Sequence, residues 1–143
     1  EALSLALVER CKCKHAPIYA AVVDSGDGAP EKLRSLIELF KADLKEGRVC
    51  LLGTLGSSFA TLPEAVRDAL GETIDNSVSL YAKVFEQGRR DESLAFEGTP
   101  KAMGLCFLST MQGLQSLTRA NGDLAAFQRS AAAFVKTIDV NAG

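Results

Sequence analysis

Apolar residues recur at helical spacing along nearly the whole chain, and this pattern limits the fold more than any other feature. Alternation at strand spacing is scarce, and Asn121-Gly122 ends a helical pattern instead of joining two strand-like runs. The sequence therefore predicts an all-α fold. The clearest apolar stripe is formed by Leu33, Leu36, Ile37, Phe40 and Leu44.

Six helical segments follow from this periodicity, and the 143 residues suit a single domain. Pro17 predicts a kink in the first segment, because proline lacks the N–H group that a helical hydrogen bond needs. The third segment is short and apolar on most sides, so we expect it to be buried. The segments span approximately residues 1–24, 30–46, 49–60, 63–90, 100–120 and 123–139.

Charge and composition exclude several classes of function. The 16 basic and 18 acidic residues give a net charge of −2, whereas a nucleic-acid-binding surface needs an excess of Lys and Arg. Residues 102–118 form the longest uncharged stretch, which is too short and too polar to span a membrane. The four cysteines are irregularly spaced, as expected of reduced thiols. We expect a soluble, cytoplasmic protein that does not contact membranes.

Four short stretches carry a resemblance to a known family. The chain resembles the C-terminal regulatory domain of TetR-family transcriptional repressors, in the subgroup with a Gly-Cys-Leu-x-Gly-x-Leu motif. Val49 departs from the motif, since the subgroup usually has glycine there. The stretches are Val49-Cys50-Leu51-Leu52-Gly53-Thr54-Leu55-Gly56 with its continuation at 61–70, Phe85-Glu86-Gln87-Gly88-Arg89, Met111-Gln112-Gly113-Leu114, and Glu1-Ala2-Leu3 with Leu7-Val8-Glu9-Arg10.

The resemblance implies a six-helix domain over residues 1–143 that forms a homodimer. The last two helices of two copies would make a four-helix bundle, and a pocket among the first five helices would bind a small effector. Effector binding would shift the first helix and release DNA. In the family a helix-turn-helix domain precedes this one, so we expect that domain N-terminal to residue 1, with operator DNA bound only through it.

We expect large or mixed-polarity side chains on inward helix faces to line the effector pocket, and the effector to be small and mostly apolar. Tyr19, Tyr81 and Thr110 are the strongest candidates, because a buried hydroxyl needs a partner that a ligand can supply. A place in the ordinary core is an equally open alternative for any one residue. The candidates are Tyr19, Phe40, Cys50, Leu55, Phe59, Val78, Tyr81, Phe107, Thr110, Met111 and Leu114.

Cys50 lies at a predicted helix start, two residues after Arg48. The helix dipole and the arginine charge would lower the pKa of the thiol, as a sensor of electrophiles or oxidants requires. Family members similar to this subgroup sense reactive species through the motif cysteine. The alternative is that Cys50 packs as a small apolar residue.

Gly104 and Gly113 lie inside a predicted helix, where glycine costs up to about 1 kcal/mol relative to alanine. That cost is explained if another helix passes close by. We therefore predict a two-fold interface between copies, with packing inside one protomer as the alternative. The interface candidates are Ser109, Gln112, Gly113, Ser116, Phe127, Ala131, Phe134 and Val135.

The sequence offers no set of residues for enzyme chemistry. Cys11 and His15 share a helix face and could form a pair of metal ligands, but no third ligand follows at metal-site spacing. A nucleophile–base arrangement is not credible with a single histidine, and no phosphate-binding glycine loop occurs. We predict a non-enzymatic domain without metal or cofactor. A thiol-based sensor or scavenger acting through Cys50, and a helical adaptor without a ligand, are the alternatives.

Overall fold

Helix boundaries follow the start and stop residues of the sequence. The computed structural model describes residues 1–48 and 50–142, which form seven α-helices and a short 3-10 turn at Phe59–Thr61. Strand pairing among them is limited to one bridge between Leu94 and Asp139. The helices are α1 (Ala2–Lys14), α2 (Ala16–Val23), α3 (Ala29–Lys45), α4 (Leu51–Gly56), α5 (Glu64–Arg90), α6 (Pro100–Asn121) and α7 (Leu124–Ile138).

The predicted all-α fold and its six segments are confirmed. The first segment breaks at His15 into α1 and α2, because Pro17 at the start of α2 cannot donate a backbone hydrogen bond. The third segment is shorter than expected, and its predicted start at Val49 lies outside the described residues. The expectation that it is buried is wrong, because Leu52 is the one buried residue of α4 and residues 56–61 are exposed. None of the described helices is long and apolar enough to cross a membrane.

Capping residues fix the two C-terminal helices. The Thr99 side chain accepts a hydrogen bond from the Ala102 N–H at 3.1 Å, and Asp123 accepts one from the Ala126 N–H at 2.9 Å. Gly122 ends α6 at φ 71°, a left-handed conformation that glycine adopts without strain. The tight turn that results places α7 against α6.

Helix α5 is the centre of the fold. Its 27 residues span about 40 Å, and it packs against α1, α2, α3, α4 and α6. Helix α7 closes the other side by packing on α3 and α6. The largest fully buried side chains are Phe85, Phe107, Phe127, Leu33, Leu36, Leu70 and Met111.

Helices α5 and α6 approach each other closely at Gly104. A Cβ on Gly104 would lie 2.6 Å from the Val78 carbonyl oxygen and 3.1 Å from the Ala82 nitrogen. The expectation that another helix passes close to Gly104 is confirmed, and that helix belongs to the same chain. At Gly113 a Cβ would meet no described atom within 4 Å.

Lys32 is a buried lysine that ties three elements together. Its Nζ donates to the Val23 carbonyl at the end of α2 and to Gln87 Oε1 of α5, both at 2.7 Å. The Gln87 Nε2 donates in turn to the Asp27 carbonyl at 3.0 Å. The α2–α3 loop is therefore anchored to α5 by these polar contacts.

Candidate functional site

A cavity of about 490 Å³ lies among α1, α2, the C-terminal part of α3, the start of α4 and the middle of α5. Helix α6 contributes one residue to its lining. The break at Pro17 lets α1 and α2 both face it. Its walls are Cys11, Lys12, His15, Ala16, Pro17, Tyr19, Ala20, Phe40, Asp43, Arg48, Cys50, Leu51, Leu52, Thr73, Asn76, Ser77, Leu80, Tyr81 and Leu108.

Three aromatic rings form one wall of the cavity. The ring centroids of Tyr19 and Phe40 are 5.2 Å apart, and each lies 6.5 Å from the centroid of Tyr81. Phe107 supports the wall from the core, with its centroid 5.2 Å from that of Tyr81. Tilted and edge-to-face contacts of this kind fix the ring planes before any ligand arrives.

Asp43 organises the polar side of the cavity. The Tyr19 hydroxyl donates to Asp43 Oδ2 at 3.3 Å, and Arg48 donates to Oδ1 from Nε at 3.1 Å and from Nη2 at 2.9 Å. Burial raises the pKa of Tyr19, and the neighbouring Tyr81 and the Asp43 charge add to this. Tyr19 is therefore protonated and links α2 to the end of α3.

Tyr81 presents a second hydroxyl. The residue is only 4% exposed, yet it lines the cavity. Burial raises the pKa of Tyr81, so the hydroxyl keeps its proton at neutral pH. Among residues 1–48 and 50–142 the hydroxyl has no hydrogen-bond partner. Unlike Tyr19, it is a donor without an acceptor.

Cys50 precedes α4 and faces the cavity, but its predicted acidity is wrong. Burial raises the pKa of its thiol and outweighs the Gln112 side chain and the N–H groups of Leu52 and Gly53, which favour the thiolate. Arg48 does not offset this, because its guanidinium is paired with Asp43. The sequence could not reveal this burial.

Cys11 lies on the same cavity from α1. Burial raises the pKa of its thiol, and the nearby Cys50 and Asp43 raise it further. Both thiols are therefore mainly protonated at neutral pH. The other cysteines, Cys13 and Cys106, are exposed and lie outside this wall.

Helix α1 packs on α5, α2 and α4, but it buries little apolar surface there. Val8 is its one buried residue, and Leu3 is 74% exposed. Lys12 makes an ion pair with Glu72 of α5 at 3.2 Å and another with Glu9 at 3.2 Å. An exposed pair of this kind contributes little, about 0–1 kcal/mol. The helix that covers one side of the cavity is thus held with little buried apolar surface.

The structure brings four of the predicted effector residues together on the cavity, namely Tyr19, Phe40, Cys50 and Tyr81. It places the rest elsewhere. Phe59 is 48% exposed and lies under Arg67, and the Thr110 hydroxyl donates to the Cys106 carbonyl. The remaining residues belong to the core or pack against it: Leu55, Val78, Phe107, Met111 and Leu114.

The predicted interface needs a correction. Phe127, Ala131 and Val135 are at most 1% exposed inside the protomer, so they have no surface to offer a second copy. Their stripe on α7 faces α3 and α6 instead. Phe134 is half-buried against Phe107, with ring centroids 5.9 Å apart.

Gln112 also departs from its predicted place. Its side chain points to α4, where Oε1 fills the space that a Cβ on Gly53 would need. Its Nε2 is enclosed and makes no hydrogen bond of good geometry among the described residues, although the amide lies near the Cys50 thiol and favours its thiolate. Ser109, Gly113 and Ser116 are exposed, as an interface would require.

Asp43, which organises the polar side of the cavity, was not among the residues predicted from the sequence. Asp43 follows Phe40 by three positions and precedes Leu44, so it lies at the edge of the buried stripe of α3. A carboxylate at such a position is a usable signal. In the described part of the chain, no three His, Cys, Asp or Glu side chains are placed to hold a metal ion.

The chain is similar to known proteins in both sequence and fold. The sequence model of the family described as "Tetracyclin repressor-like, C-terminal domain" matches residues 29–134. A transcriptional regulator of the TetR family from Agrobacterium tumefaciens is similar in structure, with a TM-score of 0.90 and 23% identity over 96% of this chain and 74% of that one. No curated protein sequence matches the chain.

Two further solved structures are similar. The reduced form of E. coli NemR has a TM-score of 0.79 and 20% identity, over 96% of this chain and 72% of that one. The regulatory protein TetR from Rhodobacter sphaeroides has a TM-score of 0.78 and 22% identity, over 90% of this chain and 71% of that one. At these identities the likeness shows the fold alone.

Proposed function

The chain belongs to the tetracyclin repressor-like C-terminal domain family, and we propose that it senses a small effector and dimerises within a transcriptional regulator that releases DNA when the effector binds. The domain binds the effector and does not convert it chemically. Contact with operator DNA is assigned to a separate domain N-terminal to residue 1, and the regulator would act in the cytoplasm, where its DNA lies.

The cavity is the observation that carries this proposal. Its volume of about 490 Å³ falls within the roughly 300–1,000 Å³ of small-molecule sites. Aromatic and aliphatic side chains dominate its walls, and a few polar groups converge on it, as expected of a ligand site. A tightly closed core next to Tyr81 would instead have favoured an adaptor.

Effector binding would reach the DNA through α1 and α2. Both helices line the cavity, and α1 buries only Val8. Weakly held elements open at low free-energy cost, so a ligand that fits one position of α1 better than another shifts the population toward that position. The Tyr19–Asp43 hydrogen bond connects α2 to α3, so a movement of α2 would change the position of Tyr19 relative to Asp43.

The test is a gel-shift titration with the complete regulator and DNA from its own promoter region. Small molecules that raise the melting temperature of this chain are added to the complex. The proposal expects at least one of them to release the DNA at concentrations near its dissociation constant. Compounds that stabilise the chain without changing DNA binding would overturn the proposed signalling.

We further propose that α6 supplies most of a homodimer interface. Its outward face is exposed along the helix and is uncharged between Lys101 and Arg119, the exposed cations near its two ends. Such a face is unusual on a monomer and suits close helix packing. Light scattering is expected to give twice 15.2 kDa, and a monomer at micromolar concentration would contradict this. The face consists of Ala102, Leu105, Cys106, Ser109, Gly113, Ser116, Leu117 and Ala120.

A second candidate function is a thiol-based sensor or scavenger of electrophiles or oxidants. The supporting observation is that Cys50 and Cys11 line the same cavity, where a trapped electrophile would meet them. One similar structure, E. coli NemR, was solved in a reduced form. The raised pKa of Cys50 counts against rapid reaction in the free protein.

Intact-mass spectrometry tests this candidate. A sensor takes up one adduct at Cys50 per chain after treatment with hydrogen peroxide or N-ethylmaleimide, whereas a scavenger consumes the reagent repeatedly when a reductant is added. Cys50→Ser abolishes either behaviour. If Cys50 stays unmodified while the exposed Cys13 reacts, the thiol function is excluded.

A further inference from the structure

We propose that the cavity selects a neutral, flat, largely aromatic molecule with one oxygen acceptor, such as a ketone or ester carbonyl, which takes a hydrogen bond from the Tyr81 hydroxyl. The inference rests on the proposed function, since it names the class of effector that this cavity takes. It goes further in assigning the selection to one donor, which no sequence pattern singled out from Tyr19.

The charged side chains of the walls point to a neutral ligand. Lys12 is paired with Glu72 at 3.2 Å, and Arg48 is paired with Asp43 at 2.9 Å. Asp43 also accepts from Tyr19. Lys12, Arg48 and Asp43 are thus already paired within the protein, so a charged ligand would lose its hydration without gaining a free partner from these three side chains.

The uncharged polar groups point to an acceptor on the ligand. The hydroxyls of Thr73 and Ser77 donate to backbone carbonyls one turn earlier, at 2.7 and 2.9 Å. The Tyr19 hydroxyl is taken by Asp43. A hydroxyl has one hydrogen to give, so these three can no longer act as donors. Tyr81 retains its hydrogen on the buried part of the wall, whereas the other unpaired polar side chains of the lining lie nearer to solvent, with His15 half-buried and Asn76 exposed.

The Tyr81 hydroxyl is open to the cavity rather than sealed in the core. Among the described residues, the side-chain atoms that are fully enclosed and unpaired belong to Gln112, Gln115 and Gln128. Tyr81 is not one of them, although it is 4% exposed, so its remaining access comes from the cavity that it lines. An unpaired donor against apolar walls is unfavourable, so a ligand whose acceptor takes its hydrogen bond binds more tightly.

The shape of the site favours a flat ring system. The Tyr19, Phe40 and Tyr81 rings are held at fixed angles, with centroids 5.2 to 6.5 Å apart. Leu52, Leu80 and Leu108 complete the apolar lining. An aromatic ligand can stack or meet ring edges here with little ordering cost, because the walls are already in place.

The test uses three naphthalenes that differ in one group: 2-acetylnaphthalene, 2-ethylnaphthalene and 1-(2-naphthyl)ethylamine. Their dissociation constants are measured by isothermal titration calorimetry at pH 7. The ketone is expected to bind about three- to tenfold more tightly than the hydrocarbon, the range of one net hydrogen bond. In Tyr81→Phe this preference disappears, while the hydrocarbon binds as before. The ammonium compound binds worst.

Tyr19→Phe is the matched control, because its hydroxyl is already taken by Asp43, and there the ketone-to-hydrocarbon ratio is expected to persist. Equal binding of ketone and hydrocarbon, or a preference that survives Tyr81→Phe, overturns the inference while effector binding itself stands. Tightest binding of the ammonium compound overturns it as well. If no probe binds, the inference fails, and the gel shift with cognate DNA decides the proposed function separately.

Discussion

Gly104 of α6 lies so close to α5 that a Cβ there would stand 2.6 Å from the carbonyl oxygen of Val78. The obstacle is backbone, which cannot rotate away. Gly104→Ala is therefore expected to separate the two helices and to lower the free energy of unfolding by about 1–3 kcal/mol. The gain in helix propensity, up to about 1 kcal/mol, does not offset this. Urea denaturation measures the difference.

Gly71→Ala, in the partner helix α5, is the control. A Cβ at Gly71 meets no described atom within 4 Å and lies outside the proposed dimer face, so the protein is expected to be unchanged or slightly more stable. A Gly104→Ala protein as stable as the parent would show that α5 and α6 can separate freely, which contradicts the packing described above.

Lys32 gives a second prediction about stability. Lys32→Met keeps the aliphatic stem but removes the donor, which leaves the Val23 carbonyl and Gln87 Oε1 without their 2.7 Å bonds. Unpaired buried acceptors cost about 1–3 kcal/mol. We expect a loss of that size in urea denaturation, together with faster hydrogen exchange in the α2–α3 loop.

Lys45→Met, at an exposed position of the same helix, is the control and should change the free energy of unfolding by less than about 0.5 kcal/mol. If Lys32→Met were as stable as this control, the buried amine would contribute nothing, and the anchoring of the loop to α5 would have to come from apolar packing.

The acidity of Cys50 sets a third prediction. Because burial raises the pKa of the Cys50 thiol above its ordinary value of 9.0, alkylation by iodoacetamide should be slow at pH 7 and should rise with pH through and beyond pH 9. Peptide mapping compares its rate with that of the exposed Cys13. Gln112→Ala should slow Cys50 further, since the Gln112 amide favours the thiolate.

A Cys50 rate that reaches half its maximum below pH 8 would contradict the buried environment. It would restore the lowered pKa that the helix start and Arg48 suggest from sequence. The thiol-sensor alternative would then gain weight over non-covalent effector binding.

The proposed interface gives a fourth prediction. Leu117 is 67% exposed on the uncharged face of α6. Leu117→Glu should raise the dimer dissociation constant at least about tenfold, because a carboxylate would be desolvated in the contact. Leu3→Glu is the control, since Leu3 is 74% exposed on α1, away from α6. Sedimentation equilibrium measures both. Equal dimer dissociation constants for the two variants would show that the interface does not lie on α6.

Local signals in the sequence predicted the helices well. Pro17 marks the α1–α2 break, Thr99 and Asp123 cap the helices that follow them, and Gly122 closes α6. These effects depend on residues within one helical turn. They could be predicted because the atoms involved are neighbours along the chain.

Signals that depend on distant neighbours were less informative. The stripe of Phe127, Ala131 and Val135 shows that one face of α7 is buried, but not whether α3 and α6 or a second copy covers it. Likewise, Tyr19 and Tyr81 are equivalent in sequence, and only the position of Asp43 makes one hydroxyl paired and the other free.

The all-α class and the helix ends marked by Pro17, Thr99, Gly122 and Asp123 could be predicted from the residues alone, because periodicity and capping act through local backbone geometry. The packing of distant helices was needed to show that the cavity lies beside α1, that the Cys50 thiol is less acidic than an ordinary thiol, and that Gln112 points to Gly53. It was also needed to show that a helix passes close to Gly104 but not to Gly113. Burial and pairing depend on which helices meet, and that arrangement brings together residues far apart in the chain.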